Sequence, residues 1–438
     1  MSTLPPGPRS SIWSLVQYLR NPLGCMAILA KEYGDTFTFP GSPPLVCTGD
    51  PEVIKAIYSA DPDTQEPFSQ DLAAFLGRSV ILMKGAEHRR ARKLMTPPFQ
   101  GARMRAYGDL MCRLTEQHTS TWSPGEGVTL LDTAQAISLD VIMEAVFGVS
   151  EPVSRAELGR MILEITNGLS PLLALFPALR RELGGVGPYA SFKRRQRRLH
   201  AKLDELMAAG RAAGPRDDIL SLLLQARYDD GEPMDDEEIR DQLILMVFAG
   251  HETTATSIAW ALYALHRPEN AASLERLRDE LAALGPDATV EAIAAQPYLD
   301  AVCQETRRRY PIAPAPSPRK LLRPLEIKGY TLPAGTGVAV GIGIAHFRED
   351  LYPEPMSFRP ERFLERKFTP FENVAYGGGA RRCLGAAMAS YEMKLVIATL
   401  VRGFRLRLRS LREDKGAVRA ANVGPARGVK MIVEERVG

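Results

Sequence analysis

Cysteine is scarce in this sequence, and strong charge of either sign is missing. Five cysteines, Cys25, Cys47, Cys112, Cys303 and Cys383, are scattered over 438 residues. An odd number at irregular spacing excludes a disulfide framework and a CxxC zinc module, and it fits a reducing compartment. The 55 Lys and Arg against 52 Asp and Glu leave a net charge of +3. That is too little to make nucleic acid or an anionic membrane the main partner. No low-complexity linker or shift of composition marks a boundary, so residues 1–438 read as a single domain, although the length alone would suit two or three.

Long hydrophobic runs are lacking too. The opening "MSTLPPGPRSSIWSLVQYLR" has no basic stretch leading into an apolar core, which argues against a signal peptide. The nearly uncharged stretch 329–347 contains Pro333, and its Val338, Val340, Ile342, Ile344 alternation has the period of a strand. These absences predict a soluble, cytoplasmic protein, monomeric, with no membrane and no nucleic-acid partner.

What is present is an ordinary globular composition, 45% apolar and 24% charged, enough to bury a large core. Short strands, "TFTF" and "PLVCT", follow a helix at "PLGCMAILAKEYG", giving a β-rich part near 36–49 and another near 319–345. Helical periodicity dominates from about 85 to 310 and again over 384–402. Asp132 reads as an N-cap, with Gly148 as the stop of that helix. The six basic residues between Lys193 and Lys202 read as a solvated helix face balanced by Asp204 and Glu205, since no aromatic or glycine interleaving supports nucleic acid. The longest helix is predicted over about 236–267, with Ile239, Leu243, Met246, Val247 and Gly250 on one face and "AGHETT" interrupting it. The fold class is therefore mostly α with small β-sheets.

The stretch "YGGGARRCLG", 376–385, places one cysteine between glycine-rich shoulders. A P-loop needs Lys and Ser or Thr after its glycines, and this chain offers Ala380, Arg381 and Arg382. A dinucleotide fingerprint needs a third glycine where Arg382 stands. Cys383 lies just ahead of an Ala-rich helix, where unpaired N–H groups, the helix dipole and two arginines favour a thiolate. No neighbouring Cys or His completes a zinc site. A single thiolate on a metal that brings its own other ligands, as haem does, remains, beside the plainer reading of a buried cysteine.

Taken together, the motifs resemble those of the cytochrome P450 family. "YGGGARRCLG" is similar to its cysteine loop, with Gly379, Arg381, Cys383 and Gly385 in place and Tyr376 where Phe is usual. "HRRAR" at 88–92, "AGHETT" at 249–254, "ETRR" at 305–308 and "FRPERF" at 358–363 follow the family's patterns in the family's order. The resemblance covers essentially the whole chain and implies the P450 fold, with the long helix over the haem.

It also implies a haem b cofactor with Cys383 as proximal iron ligand, the thiolate favouring O–O cleavage. Cofactor contacts are implied for His88, Arg92, Ala249, Gly250, Arg319, Tyr376, Arg381 and Gly385. His88, Arg92, Arg319 and Arg381 would serve the propionates. Glu252 and Thr253 are implied as the catalytic acid and alcohol that relay protons. Glu305, Arg308 and Arg362 are implied as a buried structural network. The implied activity is oxidation by dioxygen of a hydrophobic small molecule (fatty acid, terpenoid, steroid or polyketide-like), with electrons from a separate ferredoxin or flavodoxin and its reductase. Arg89, Arg90, Lys93 and Arg382 would offer that partner a basic patch. The pocket would draw on 68–83, 165–183, 247–254, 312–316 and the turn near Asn422. A hydrogen-peroxide-using peroxygenase and a non-catalytic haem-thiolate sensor are the alternatives.

Overall fold

The longest helix, Asp236–Leu265, runs unbroken for 30 residues. Asp236, Glu237 and Glu238 occupy its first turn, where negative side chains complement the unpaired N–H groups. "AGHETT" continues this helix and does not interrupt it. A mid-helix glycine costs only about 1 kcal/mol, and Leu243, Val247, Ala255, Ile258 and Ala259 are all fully buried, which outweighs that cost. The helix stops two residues short of the predicted Arg267, and a single 3-10 turn, Pro268–Asn270, follows.

A computed structural model describes residues 4–68, 73–99, 103–166, 180, 185–316, 318–419 and 422–437. The chain divides into two compact units, with the division between Glu252 and Thr253 inside the long helix. One unit comprises Met1–Phe68, Thr115–Ala134 and Thr253–Gly438, and holds every described strand. Its largest sheet has five strands, in the spatial order Thr36–Phe39, Leu45–Thr48, Gly337–Val340, Arg319–Leu321, Gln65–Pro67. Leu45–Thr48 pairs parallel to Gly337–Val340, Val46 opposite Val338, while the other three pairings are antiparallel. Behind it Val46, Val53, Ile54, Ile57, Leu332 and Val340 form one buried cluster. The helices Pro297–Arg309 and Ala386–Gly403 belong to the same unit.

The second unit, Ser69–Leu114 and Gln135–Glu252, is helical among its described residues. The basic helix, Pro188–Ala213, behaves as a solvated face: Lys202 pairs with Glu205 and Asp204 with Arg240.

Two local expectations need correcting. Asp132 is not an N-cap, because the helix begins at Leu130 and puts Asp132 in its first turn. The strand Gly127–Thr129 runs straight into that helix, and the Leu130 and Leu131 N–H groups donate to Val429 and Gly428, at 3.0 Å each, so no side-chain cap is needed. Gly148, at φ 66°, does end the helix. The alternation from Val338 to Ile344 is a strand only as far as Val340; Ile342–Ala345 is a helical turn, all four residues buried. Among the described residues, no helix is long and apolar enough to cross a membrane.

Candidate functional site

The cysteine loop is closed by its own backbone. Gly377 N–H donates to Val374 at 2.8 Å, Arg382 to Gly379 at 3.1 Å and Cys383 to Tyr376 at 2.9 Å. Gly377 and Gly379 have φ of 66° and 63°, which only glycine adopts without strain. Cys383 is exposed, and Gly385 caps the helix Ala386–Gly403 just beyond it. Arg381 ends a 3-10 turn, Gly379–Arg381.

The glycines of this loop do different things. A Cβ on Gly378 would lie 2.3 Å from the Tyr58 ring, and one on Gly379 2.5 Å from the Tyr58 carbonyl oxygen. These two let the loop close down on Tyr58 rather than clear space for a cofactor. Beside Gly385 the space is open, with nothing within 4 Å of where its Cβ would be.

Arg319 is buried against the same loop. Its Nη2 donates to the Gly378 carbonyl at 2.8 Å and its Nη1 to Gln65 Oε1 at 2.9 Å, while Gln65 Nε2 donates to the Ile57 carbonyl at 2.9 Å. The guanidinium also stands 5.0 Å over the Tyr58 ring. Among the described residues no carboxylate pairs with it, and burial pulls its pKa below the usual value. Gln65 and Tyr58 are the residues that sequence reasoning missed; nothing in "AIYSADPDTQEPF" marks them.

The hydroxyl of Tyr376 has a partner, Ser390 Oγ at 2.9 Å, and Arg307 stands 4.9 Å over its ring. Behind the loop, Glu305 takes Arg308 Nε at 2.6 Å, Arg308 Nη2 at 2.8 Å, Arg362 Nε at 3.2 Å and the Arg359 N–H at 2.8 Å. His346 ties this network to the loop. Its carbonyl accepts from Arg308 at 3.0 Å and its Nε2 accepts from the Val374 N–H at 3.1 Å.

In the second unit, His88 and Arg92 lie one turn apart on the helix Gly85–Met95, His88 buried and Arg92 half-buried. From Ile239 to Leu265 the long helix has one exposed residue, Ala249, with Gly250 and Glu252 half-buried beside it. Gly250 is packed tightly: its Cβ would sit 2.9 Å from Ile142 Cδ1. The glycine therefore lets the helix that carries Ile142 approach closely. His251 turns its Nδ1 to the Val247 carbonyl at 3.1 Å. Asp241 and Gln242 of the same helix accept from the Arg78 and Val80 N–H groups at 2.7 and 2.9 Å, fixing the described part of the 68–83 loop. In the first unit, Thr253 is half-buried and its carbonyl accepts from Ser257 Oγ at 3.0 Å. The expected basic patch is weakened, because Arg90 and Lys93 pair with Asp230 and Asp229, each at 2.7 Å. Most of the pocket stretch 165–183 lies outside the described residues.

The family profile described as Cytochrome P450 matches residues 4–421. This chain belongs to the cytochrome P450 family. It is similar to a Mycobacterium tuberculosis protein described as cytochrome P450 135A1, 34% identical over 99% of this chain and 96% of that one. Another from the same organism, described as cytochrome P450 137, is 35% identical over 88% of this chain and 80% of the relative. Among solved structures, "Retinoic acid bound cyanobacterial CYP120A1" superposes with a TM-score of 0.85 at 24% identity, covering 99% of this chain and all of that one. Membership makes the protein a P450 monooxygenase, with a thiolate-ligated haem, an organic substrate, dioxygen and an electron donor.

Proposed function

We propose that Cys383 is the thiolate that holds the haem iron and that Arg319 anchors a propionate on the same side. The observation that carries this reading is Arg319 itself. A buried guanidinium with two neutral acceptors and no acid calls for an anion. The open space beside Gly385 and the exposed sulfur suit a flat group lying across the loop. Tyr376, Arg381, His88, Arg92, Ala249 and Gly250 are assigned to the cofactor on the family's pattern, Gly250 through the helix packing it permits.

The bound haem would supply dioxygen activation, one oxygen atom entering the substrate and the other leaving as water with two electrons and two protons. The chain's own part is the proton supply. Glu252 collects protons from solvent through its half-exposed carboxylate, and the Thr253 hydroxyl passes them on while ordering water. Glu305, Arg308 and Arg362 hold the backbone behind the cysteine and touch no reacting atom.

The substrate is a hydrophobic small molecule, supported by the apolar residues of 312–316 and of 247–254. The retinoic acid of the cyanobacterial structure is a ligand of that class. Electrons come from a separate ferredoxin or flavodoxin with its reductase, and the enzyme works as a cytoplasmic monomer. The acid–alcohol pair at Glu252 and Thr253 speaks against a peroxygenase. Turnover of a lipophilic panel with a surrogate ferredoxin and its reductase tests the reading. Product that needs the reductant supports it, whereas product formed only with hydrogen peroxide, or tight binding with no product, would replace it with the peroxygenase or the sensor.

A further inference from the structure

The helix Ser11–Arg20 is built inside out. Its buried residue is Ser14, whose hydroxyl donates to the Ser10 carbonyl at 2.8 Å. Ile12, Trp13, Leu15, Val16 and Leu19 face outward, 76, 45, 51, 44 and 48% exposed. At 100° per residue these five cover roughly 160° of the helix, the width of a face meant to be buried. A single exposed apolar residue needs no explanation, but a contiguous apolar face marks a contact surface.

Charge identifies what it contacts. The first 31 residues contain no Asp or Glu, and carry Arg9, Arg20 and Lys31, all exposed. The helix itself carries Arg20 and no acid, with Arg9 just ahead of it, and the first acid of the chain, the exposed Glu32, follows Lys31. The chain as a whole has little charge to draw it to an anionic membrane, but this segment taken alone is basic. A second copy of the chain is a poor occupant, since an isologous contact would set these cations against their own images.

We propose that the helix Ser11–Arg20 rests on an anionic bilayer surface. Ile12, Trp13, Leu15, Val16 and Leu19 enter the boundary between headgroups and acyl chains, and Arg9, Arg20 and Lys31 meet lipid phosphates. An indole suits that boundary, having an apolar body and a polar edge. The helix is ten residues long, too short to span, so it lies in the plane of the interface and binds reversibly.

Trp122 and Trp260 are buried, 6 and 3% exposed, so Trp13 is the one tryptophan of the three that can report on this face. The full-length holoenzyme is sedimented with vesicles of phosphatidylcholine alone and of phosphatidylcholine with phosphatidylglycerol. Trp13 emission and iodide quenching are read as the difference from Trp13→Phe. Expected are binding to the anionic vesicles, a blue shift and iodide protection of Trp13 on binding, and about fivefold weaker binding for each of Arg9→Ser and Arg20→Ser. Leu15→Glu with Leu19→Glu should abolish binding while the spectrum of the reduced, CO-bound enzyme is unchanged. Absence of binding at every phosphatidylglycerol content overturns the proposal. So does a Trp13 already blue and shielded in the lipid-free monomer, which would mean that the chain covers its own face. A concentration-dependent dimer dissolved by Leu15→Glu, without lipid binding, would make the partner a second copy.

Discussion

Arg319 donates from Nη2 to the Gly378 carbonyl at 2.8 Å, tying a buried cation to the loop that carries Cys383. The cation is set by Gln65, itself fixed to the Ile57 carbonyl, so one uncharged side chain orients the group assigned to the haem propionate.

Gln65→Leu should therefore weaken haem retention without touching the cofactor. Removing one hydrogen bond to a charged group costs about 1.5–3 kcal/mol, so haem loss to apomyoglobin should quicken by tenfold or more. Arg319→Lys should not restore it, because an ammonium cannot hold Gln65 and Gly378 in the planar fork that the guanidinium provides. Unchanged haem loss in Gln65→Leu would remove the relay from the account.

Gly378→Ala and Gly379→Ala should differ in how they are rescued. At Gly378 the obstacle is the Tyr58 ring, so a loss of about 1–3 kcal/mol should largely vanish when Gly378→Ala is made in a Tyr58→Ala background. At Gly379 the obstacle is the Tyr58 carbonyl oxygen, and φ is 63°, so shrinking the side chain should recover nothing. Urea unfolding of the two double mutants against Tyr58→Ala alone measures this, and equal rescue would contradict the packing described.

Glu305→Gln leaves Arg308 and Arg362, 0 and 3% exposed, without their carboxylate. Stranding buried guanidinium groups costs about 3–5 kcal/mol. The denaturant midpoint should fall accordingly, with the reduced, CO-bound spectrum of the remaining folded protein unchanged. A loss of about 1 kcal/mol or less would mean the network is solvated.

How much of this was legible in the sequence depended on range. The long helix, the cysteine loop and the Glu305–Arg308 pair were readable because their signals lie within a few turns of one chain segment. The relay was not, since Arg319 meets Gln65 and Gly378 from 254 and 59 positions away. The same blindness made Arg90 and Lys93 look available, when Asp230 and Asp229 reach them from 140 and 136 positions away. Periodicity misled at Ile342–Ala345, where complete burial makes strand and helix look alike. The glycines were recognised, but the reason for two of them was Tyr58, which no local pattern connects to the loop.

Stability should fall with acid, and His346 should carry part of the fall. Burial, reinforced by Arg308, pushes its pKa down to about 3 from 6.5, and its Nε2 must stay unprotonated to accept from Val374. A depressed native pKa means the unfolded chain takes up the proton first. The stabilising contribution is thus complete above 6.5 and is lost progressively as pH falls towards about 3. Burial shifts His266 and His200 the same way, each to about 4. Unfolding free energies between about pH 6 and 4 should slope by up to about 1.4 kcal/mol per unit for each such proton. His346→Gln should remove one proton's worth of slope; an unchanged slope would contradict the assignment.

The proposal that Cys383 binds the haem iron as a thiolate has a direct spectroscopic test. It is the absorption spectrum of the reduced, CO-bound protein, recorded for the native chain and for Cys383→Ser. The native protein should show the red-shifted Soret band of thiolate ligation, and the variant should lose it. An unshifted band in intact native protein, or a red-shifted band that survives Cys383→Ser, would contradict the proposal.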